Sequence, residues 1–279
     1  MTPLIKRSQI ACMNMHYKNY SLDYFLASVQ RIGYESVAFW GGPPHFLLEE
    51  AGYEDAKLLR KKFAEHGLTC TCFTAAALLP PYQFAVEGAE QIEDTYRYFA
   101  NGIRVAAELG AGVMVANSGY GQKTGRREDA WGRSRDMLRR VAEFAGEYNV
   151  CLTIESLRPQ ETNLVVTLSD TKRMADEVNH PNLKVMIDTT AIGVSGETVW
   201  DWFKVFGSDI KNMHFVDGTP FGHLSWGDGS FPLEDMLSCM QWYGYDGPLG
   251  LEITDPRYYV NPAMASVKSF NSLVRYAES

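Results

Sequence analysis

The chain has 279 residues, enough for one large domain, with 46% hydrophobic and 22% charged residues. Its net charge of −8 argues against a nucleic-acid partner, because a duplex binder needs a basic face to neutralise phosphates. The first nine residues lack the apolar stretch of a signal peptide and no apolar run reaches the length of a membrane span, so the sequence predicts a cytoplasmic protein without a membrane partner.

Along the chain, β-rich apolar runs alternate with amphipathic ones. Residues 8–13 read as a strand. Ser21 caps a helix in which Leu22, Phe25, Leu26, Val29 and Ile32 recur at three- and four-residue steps, and Gly33 ends it. Strands follow at 36–40, 68–73, 112–116, 150–154, 183–187, 210–216 and 248–253. Helices intervene at 54–66, 91–109, 128–148, 170–178, 197–206 and from Pro232 to about Trp242, and a last helix covers 262–276. Eight β–α units in unbroken rhythm predict a single (β/α)8 barrel domain over residues 1–279, a TIM barrel. An open doubly wound sheet commonly carries a glycine-rich turn after its first strand, and here Asn14-Met15-His16-Tyr17 stands there instead. The longest loops, at 74–88, 117–127 and 217–231, all follow strands and so lie on the face where barrels keep their sites. The five cysteines form no disulfide framework. Cys70 and Cys72, two apart in a strand, are expected on one face as small buried thiols.

Strand phase gives the strongest internal signal. Leu152 and Ile154 take one face of the fifth strand, leaving Glu155 on the other. The same phase leaves Asp188, His214 and Glu252 opposite the apolar faces of strands six, seven and eight. Separations of 33, 26 and 38 residues are each about one β–α unit, so four neighbouring strands aim these side chains at one point above the barrel. Three inward carboxylates repel one another and lose hydration unless a cation compensates them, and His214 alone supplies too little charge. The pattern predicts one divalent ion held by Glu155, Asp188, His214 and Glu252. Oxygen-rich ligation with one imidazole suits Mn²⁺ best, with Co²⁺, Mg²⁺ and Zn²⁺ compatible. Thr153 and Asn212 are nearby inward polar groups.

The stretches Leu-Thr-Ile-Glu-Ser at 152–156, Val-Met-Ile-Asp-Thr at 185–189, Met-His-Phe-Val-Asp at 213–217 and Gly-Leu-Glu-Ile at 250–253 resemble the metal site of the sugar-phosphate isomerase/epimerase superfamily, the xylose isomerase-like barrels. Within it the ketose 3-epimerases, fructoselysine 3-epimerases among them, fit best. The likeness rests on Trp-Gly-Gly-Pro-Pro-His-Phe at 40–46, on Glu155 followed by Glu161, and on Gly227-Asp228-Gly229 leading to Pro232. The resemblance implies a C3 epimerase in which Glu155 and Glu252 act as paired acid/bases on a sugar or sugar–amine substrate, assembled as a homodimer or homotetramer. It also implies that Glu161 orients substrate hydroxyls, where a loop salt bridge is the alternative. His16, Trp40 and His45 follow the first two strands, and His223 lies in the loop after the seventh. All four are candidate substrate contacts, set against packed or solvated loop positions. Arg158 is either an anion contact or a surface charge. Two departures stand out: Ala191 where many relatives carry His three residues after the aspartate, and Pro220 where free-ketose epimerases tend to have Arg. Aldose–ketose isomerisation, keto-inositol dehydration, a hydrolase of the endonuclease IV type and a non-catalytic sugar-binding barrel are the rival readings.

Overall fold

The alternating runs fold as a (β/α)8 barrel in the computed structural model, which describes residues 4–76 and 81–277. In chain order the elements begin with β1 (Ile10–Met13), α1 (Leu22–Ile32) and β2 (Ser36–Gly41), followed by a small hairpin of β3 (Leu48–Glu49) and β4 (Gly52–Tyr53). Then come α2 (Ala56–Glu65), β5 (Thr69–Ala75), α3 (Ala89–Leu109), β6 (Val113–Asn117), α4 (Arg127–Glu147), β7 (Cys151–Glu155) and α5 (Leu168–Val178). The chain closes with β8 (Leu183–Asp188), α6 (Thr189–Val194), α7 (Val199–Phe206), β9 (Ile210–His214), α8 (Leu233–Tyr243), β10 (Leu249–Leu251) and α9 (Pro262–Val274). Strands β1, β10, β9, β8, β7, β6, β5 and β2 are neighbours in that order around a closed ring, and every pair is parallel.

Two hydrophobic layers follow from the pleat. Ile10, Val37, Phe39, Leu152, Ile154, Val185 and Leu251 belong to the large core between strands and helices. Ala11, Met13, Ala38, Cys72, Val115 and Met186 fill the barrel interior. Small residues and methionines dominate the inner set and fill the barrel beneath its mouth.

The expected caps are present: the Ser21 hydroxyl accepts from the Tyr24 N–H, and Gly33 ends α1 at φ 102°. Several boundaries move for local reasons. Helix α5 starts at Leu168 rather than 170 because Thr167 and Asp170 form a reciprocal capping box. Thr198 and Asp201 do the same for α7, which starts at Val199 rather than 197. Strand β10 is only three residues long, so Glu252 lies just past it. Between β8 and α7 the structure adds α6, a short helix the sequence did not announce, which the Asp188 carboxylate caps.

The two cysteines of β5 do not share a face. Val37 pairs with Cys70 and Ala38 with Cys72, so Thr71 is an extra residue that breaks the alternation. Cys70 therefore faces the outer core and Cys72 the interior. All five cysteines are unpaired. Of the loop expected at 74–88, residues 77–80 lie outside the described ones. No helix among the described residues is long and apolar enough to cross a membrane.

Candidate metal centre and active site

Strands β7, β8 and β9 each end on a polar residue facing the barrel axis: Glu155, Asp188 and His214. Asp188 and His214 are direct ladder partners, so register alone brings them together. Gly250 pairs with His214, which sets Glu252, two residues on, beside the same imidazole. One ligand atom from each of Glu155, Asp188, His214 and Glu252 lies within 4.8 Å of all the others.

Each of the four is held. Asp188 Oδ1 accepts the N–H groups of Thr190 at 2.7 Å and Ala191 at 3.1 Å, leaving Oδ2 toward the cluster. His214 Nδ1 lies 2.6 Å from Glu155 Oε1 and 3.3 Å from Glu252 Oε2. Yet among the described residues neither ring nitrogen of His214, nor Glu155 Oε1, has an aligned hydrogen bond, although all are buried. Close approach of lone-pair atoms without hydrogen-bond geometry fits donors arranged around a shared cation. Three carboxylates and one imidazole match the donor set of a hard divalent ion.

The protonation energetics describe the same convergence. Burial pushes the Glu155 carboxyl up, against the pull of His214. For Asp188, burial raises the pKa but is outweighed by His223, by His214 and by the Ala191 N–H, and the carboxyl falls below its usual range. Glu252 is likewise held low, because His214 and His223 overcome burial. Burial pulls His214 down, but Glu252 and Glu155 raise it well above the ordinary imidazole value. A buried cluster whose carboxylates and histidines must share protons to approach charge balance is one a divalent ion would balance instead.

Glu155, Asp188 and Glu252 of the quartet line a cavity of about 270 Å³, together with Trp40, Glu161, Arg158, His223, Met15 and Leu157 among others. His223 comes from the loop between β9 and α8. Its Nε2 lies 3.0 Å from Asp188 Oδ2, and its Nδ1 is hydrogen-bonded to Thr254 at 3.0 Å. The Glu161 carboxylate is engaged twice by the Arg158 guanidinium, at 2.7 and 2.8 Å, in a bidentate pair at the cavity wall.

The structure thus brings Trp40, Glu161 and His223 together with the quartet, and it does not bring His16 and His45 to the cavity. After β1 the chain makes a single turn over Met15–Tyr17, which puts Met15 on the cavity side. His16 is consequently fully buried behind it, with Nε2 2.9 Å from the Ser266 hydroxyl of α9. His45 bonds to Asn14 and to the Tyr20 carbonyl. Thr153 and Asn212 face the interior but bond to the Met114 carbonyl and the Cys72 sulfur rather than to the quartet. Met15, Thr74, Asn117, Leu157 and Thr254 also line the cavity and went unnoticed in the sequence. Their common signal is position: each stands at or just after a barrel strand.

A model of the xylose isomerase-like TIM barrel family matches residues 26–275. The chain belongs to this family. Curated members related to it include a fructoselysine 3-epimerase of Shigella flexneri, 23% identical over 250 residues that cover 87% of this chain and 91% of that one. A ketose 3-epimerase of Arthrobacter globiformis is 23% identical over 243 residues, covering 85% and 79%. Among solved structures, a D-allulose 3-epimerase from Methylomonas sp. shares the fold with a TM-score of 0.79 at 16% identity, over 99% of this chain and 100% of that one. Family membership and the clustered ligands together support an isomerase- or epimerase-type enzyme with a divalent-metal site.

Proposed function

We propose that the protein epimerises C3 of a 2-ketose or of a ketose–amine conjugate of the fructoselysine or psicoselysine kind, through a cis-enediolate. The observation that carries this reading is that two carboxylates from non-adjacent strands, Glu155 and Glu252, both line the cavity and both reach the same imidazole nitrogen beneath it. Glu155 and Glu252 come from strands separated by β8 and β9, and both reach His214 Nδ1. A substrate carbon held between the two carboxylates would have a potential base on each face.

Epimerisation breaks the C3–H bond on one face and re-forms it on the other. One glutamate takes the proton while the C–H electron pair moves into the C2 carbonyl, giving the enediolate. The other glutamate, protonated, returns a proton to C3 from the opposite side. The two exchange roles in the reverse reaction. A divalent ion held by Glu155, Asp188, His214 and Glu252 would supply polarisation of the carbonyl and compensation of the enediolate charge, and Mn²⁺ suits this donor set best. Asp188, anchored by two backbone N–H groups, fixes the site without taking part in proton transfer. Trp40, Met15 and Leu157 give the sugar an apolar wall, while Glu161, braced by Arg158, and His223 face its hydroxyls. The relatives' names support a ketose substrate, and Ala191 and Pro220 favour a conjugate over a simple free ketohexose.

Turnover in D₂O tests the reading. Incubated with D-fructose, D-psicose and fructoselysine, the metal-loaded protein is expected to yield a C3 epimer carrying deuterium at C3, read by NMR. An aldose carrying deuterium at C2 instead would assign aldose–ketose isomerisation, and an epimer without deuterium at C3 would rule out the two-base route through solvent-exchanging carboxyls.

A further inference from the structure

Asn14 and His45 are buried beside the cavity without lining it. Strand β1 stops at Met13, paired with Ala38, and the backbone then turns away, so it cannot continue its ladder along β2. The Asn14 side-chain amide takes over. Its Oδ1 accepts the Trp40 N–H at 2.7 Å and its Nδ2 donates to the Trp40 carbonyl at 3.0 Å, as a neighbouring strand would. Asn14 Nδ2 also lies 2.9 Å from His45 Nδ1, and His45 Nε2 lies 2.9 Å from the Tyr20 carbonyl oxygen.

These contacts fix the tautomer. A carbonyl oxygen only accepts, so His45 Nε2 carries the ring proton and Nδ1 is the acceptor for Asn14. Both Asn14 amide hydrogens and both His45 nitrogens are then used, and the chain from Tyr20 through His45 and Asn14 to Trp40 is closed. Phe25 lies nearly parallel to the imidazole, with ring centres 6.3 Å apart. On the far side, Gly42 leaves the space the indole occupies, since a Cβ there would stand 2.2 Å from the Trp40 ring.

We propose that His45 is a positioning residue for the sugar site: through Asn14 it locks the main chain at Trp40 and so holds the indole wall of the cavity. The proposal rests on that cavity being the substrate site. It predicts a defect in substrate hold rather than in metal content, because the relay ends on Trp40 and not on the quartet.

The test compares His45→Leu, which removes the acceptor at similar bulk, with His45→Asn, whose amide oxygen can take the place of Nδ1. Asn14→Ala breaks the relay independently should His45→Leu fail to fold. All are studied as Mn²⁺-loaded protein. The Trp40 fluorescence is isolated as the difference between each protein and the same protein carrying Trp40→Phe. Losing one buried acceptor is expected to raise acrylamide quenching of Trp40 about twofold and KM for the ketose about five- to tenfold, with kcat within about twofold. Asn14→Ala should behave alike, and His45→Asn should recover most of both values, with Mn²⁺ stoichiometry unchanged throughout. Unchanged Trp40 quenching in both His45→Leu and Asn14→Ala would overturn the proposal, as would His45→Asn performing no better than His45→Leu. If no ketose is turned over, the epimerase reading fails, while the quenching comparison still decides whether the relay holds Trp40.

Discussion

Asp217 offers a sharp test of how the loop between β9 and α8 is built. Its carboxylate is 3% exposed and accepts four backbone N–H groups: Gly218 at 2.9 Å and Phe231 at 3.0 Å on Oδ1, and Gly227 at 2.9 Å and Gly229 at 2.8 Å on Oδ2. One side chain thereby gathers both ends of the loop that carries His223 into the cavity. In Asp217→Asn one oxygen still serves two of the donors, while the amide NH₂ opposes the other two. Gly227 is exposed and Gly229 half-buried, so with the NH₂ on their side the two N–H groups left without an acceptor cost about 1 kcal/mol each, and two charge-assisted bonds reduced to neutral ones add about 1 kcal/mol more in total. The expected destabilisation is about 3 kcal/mol, a sizeable share of the roughly 5–15 kcal/mol typical of a domain. Urea unfolding of chelator-treated protein measures it without the linkage that a bound metal introduces. Gly229→Ala attacks the same arrangement from the other side, because its Cβ would sit 2.4 Å from Asp217 Oδ1 and 2.5 Å from the Gly218 carbonyl oxygen. If Asp217→Asn came within about 1 kcal/mol of the parent, the carboxylate would not be organising the loop and the hydrogen-bond reasoning would be refuted.

Two further predictions follow from buried titratable groups. Burial lowers His16 from an ordinary 6.5 to about 3, so the unfolded chain binds its proton first as pH falls. Stability is then full above pH 6.5 and declines progressively toward pH 3. At pH 5 the loss from this residue is about 2 kcal/mol, seen as a smaller pH 7.5-to-5 difference in His16→Gln than in the parent, and equal differences would contradict it. Burial pushes the Cys12, Cys70 and Cys239 thiols up to about 12 and Cys151 up to about 11, with Cys72 also raised. The native protein should therefore show no rapidly reacting thiol toward a disulfide reagent at pH 8, and five after denaturation; a fast equivalent before unfolding would show an accessible thiolate.

The barrel was legible because its signal is periodic: eight apolar strands, eight amphipathic helices, and glycines such as Gly33 and Gly110 at helix ends. The convergence of Glu155, Asp188, His214 and Glu252 was legible for the same reason, since alternation along a strand fixes a face and one β–α unit fixes the neighbour. What was not legible depends on geometry that a period does not carry. The extra residue Thr71 in β5 turned Cys70 and Cys72 to opposite faces. The single turn after β1 chose Met15 for the cavity and sent His16 behind it. The sequence placed His45 in the loop after β2 but could not show that its partner would be Asn14, 31 residues earlier. Glu161 illustrates a middle case: the loop salt bridge, to Arg158, is present, and the residue also lines the cavity, so its contact with substrate hydroxyls belongs to the proposed function.

Binding of Mn²⁺ to chelator-stripped protein, followed by calorimetry or by loss of the free-ion EPR signal, tests the central claim most directly. The account predicts one saturable site per chain, with affinity reduced at least about a hundredfold in His214→Ala and in Asp188→Ala. No saturable binding in the parent, or an unchanged affinity once His214 is removed, would contradict it.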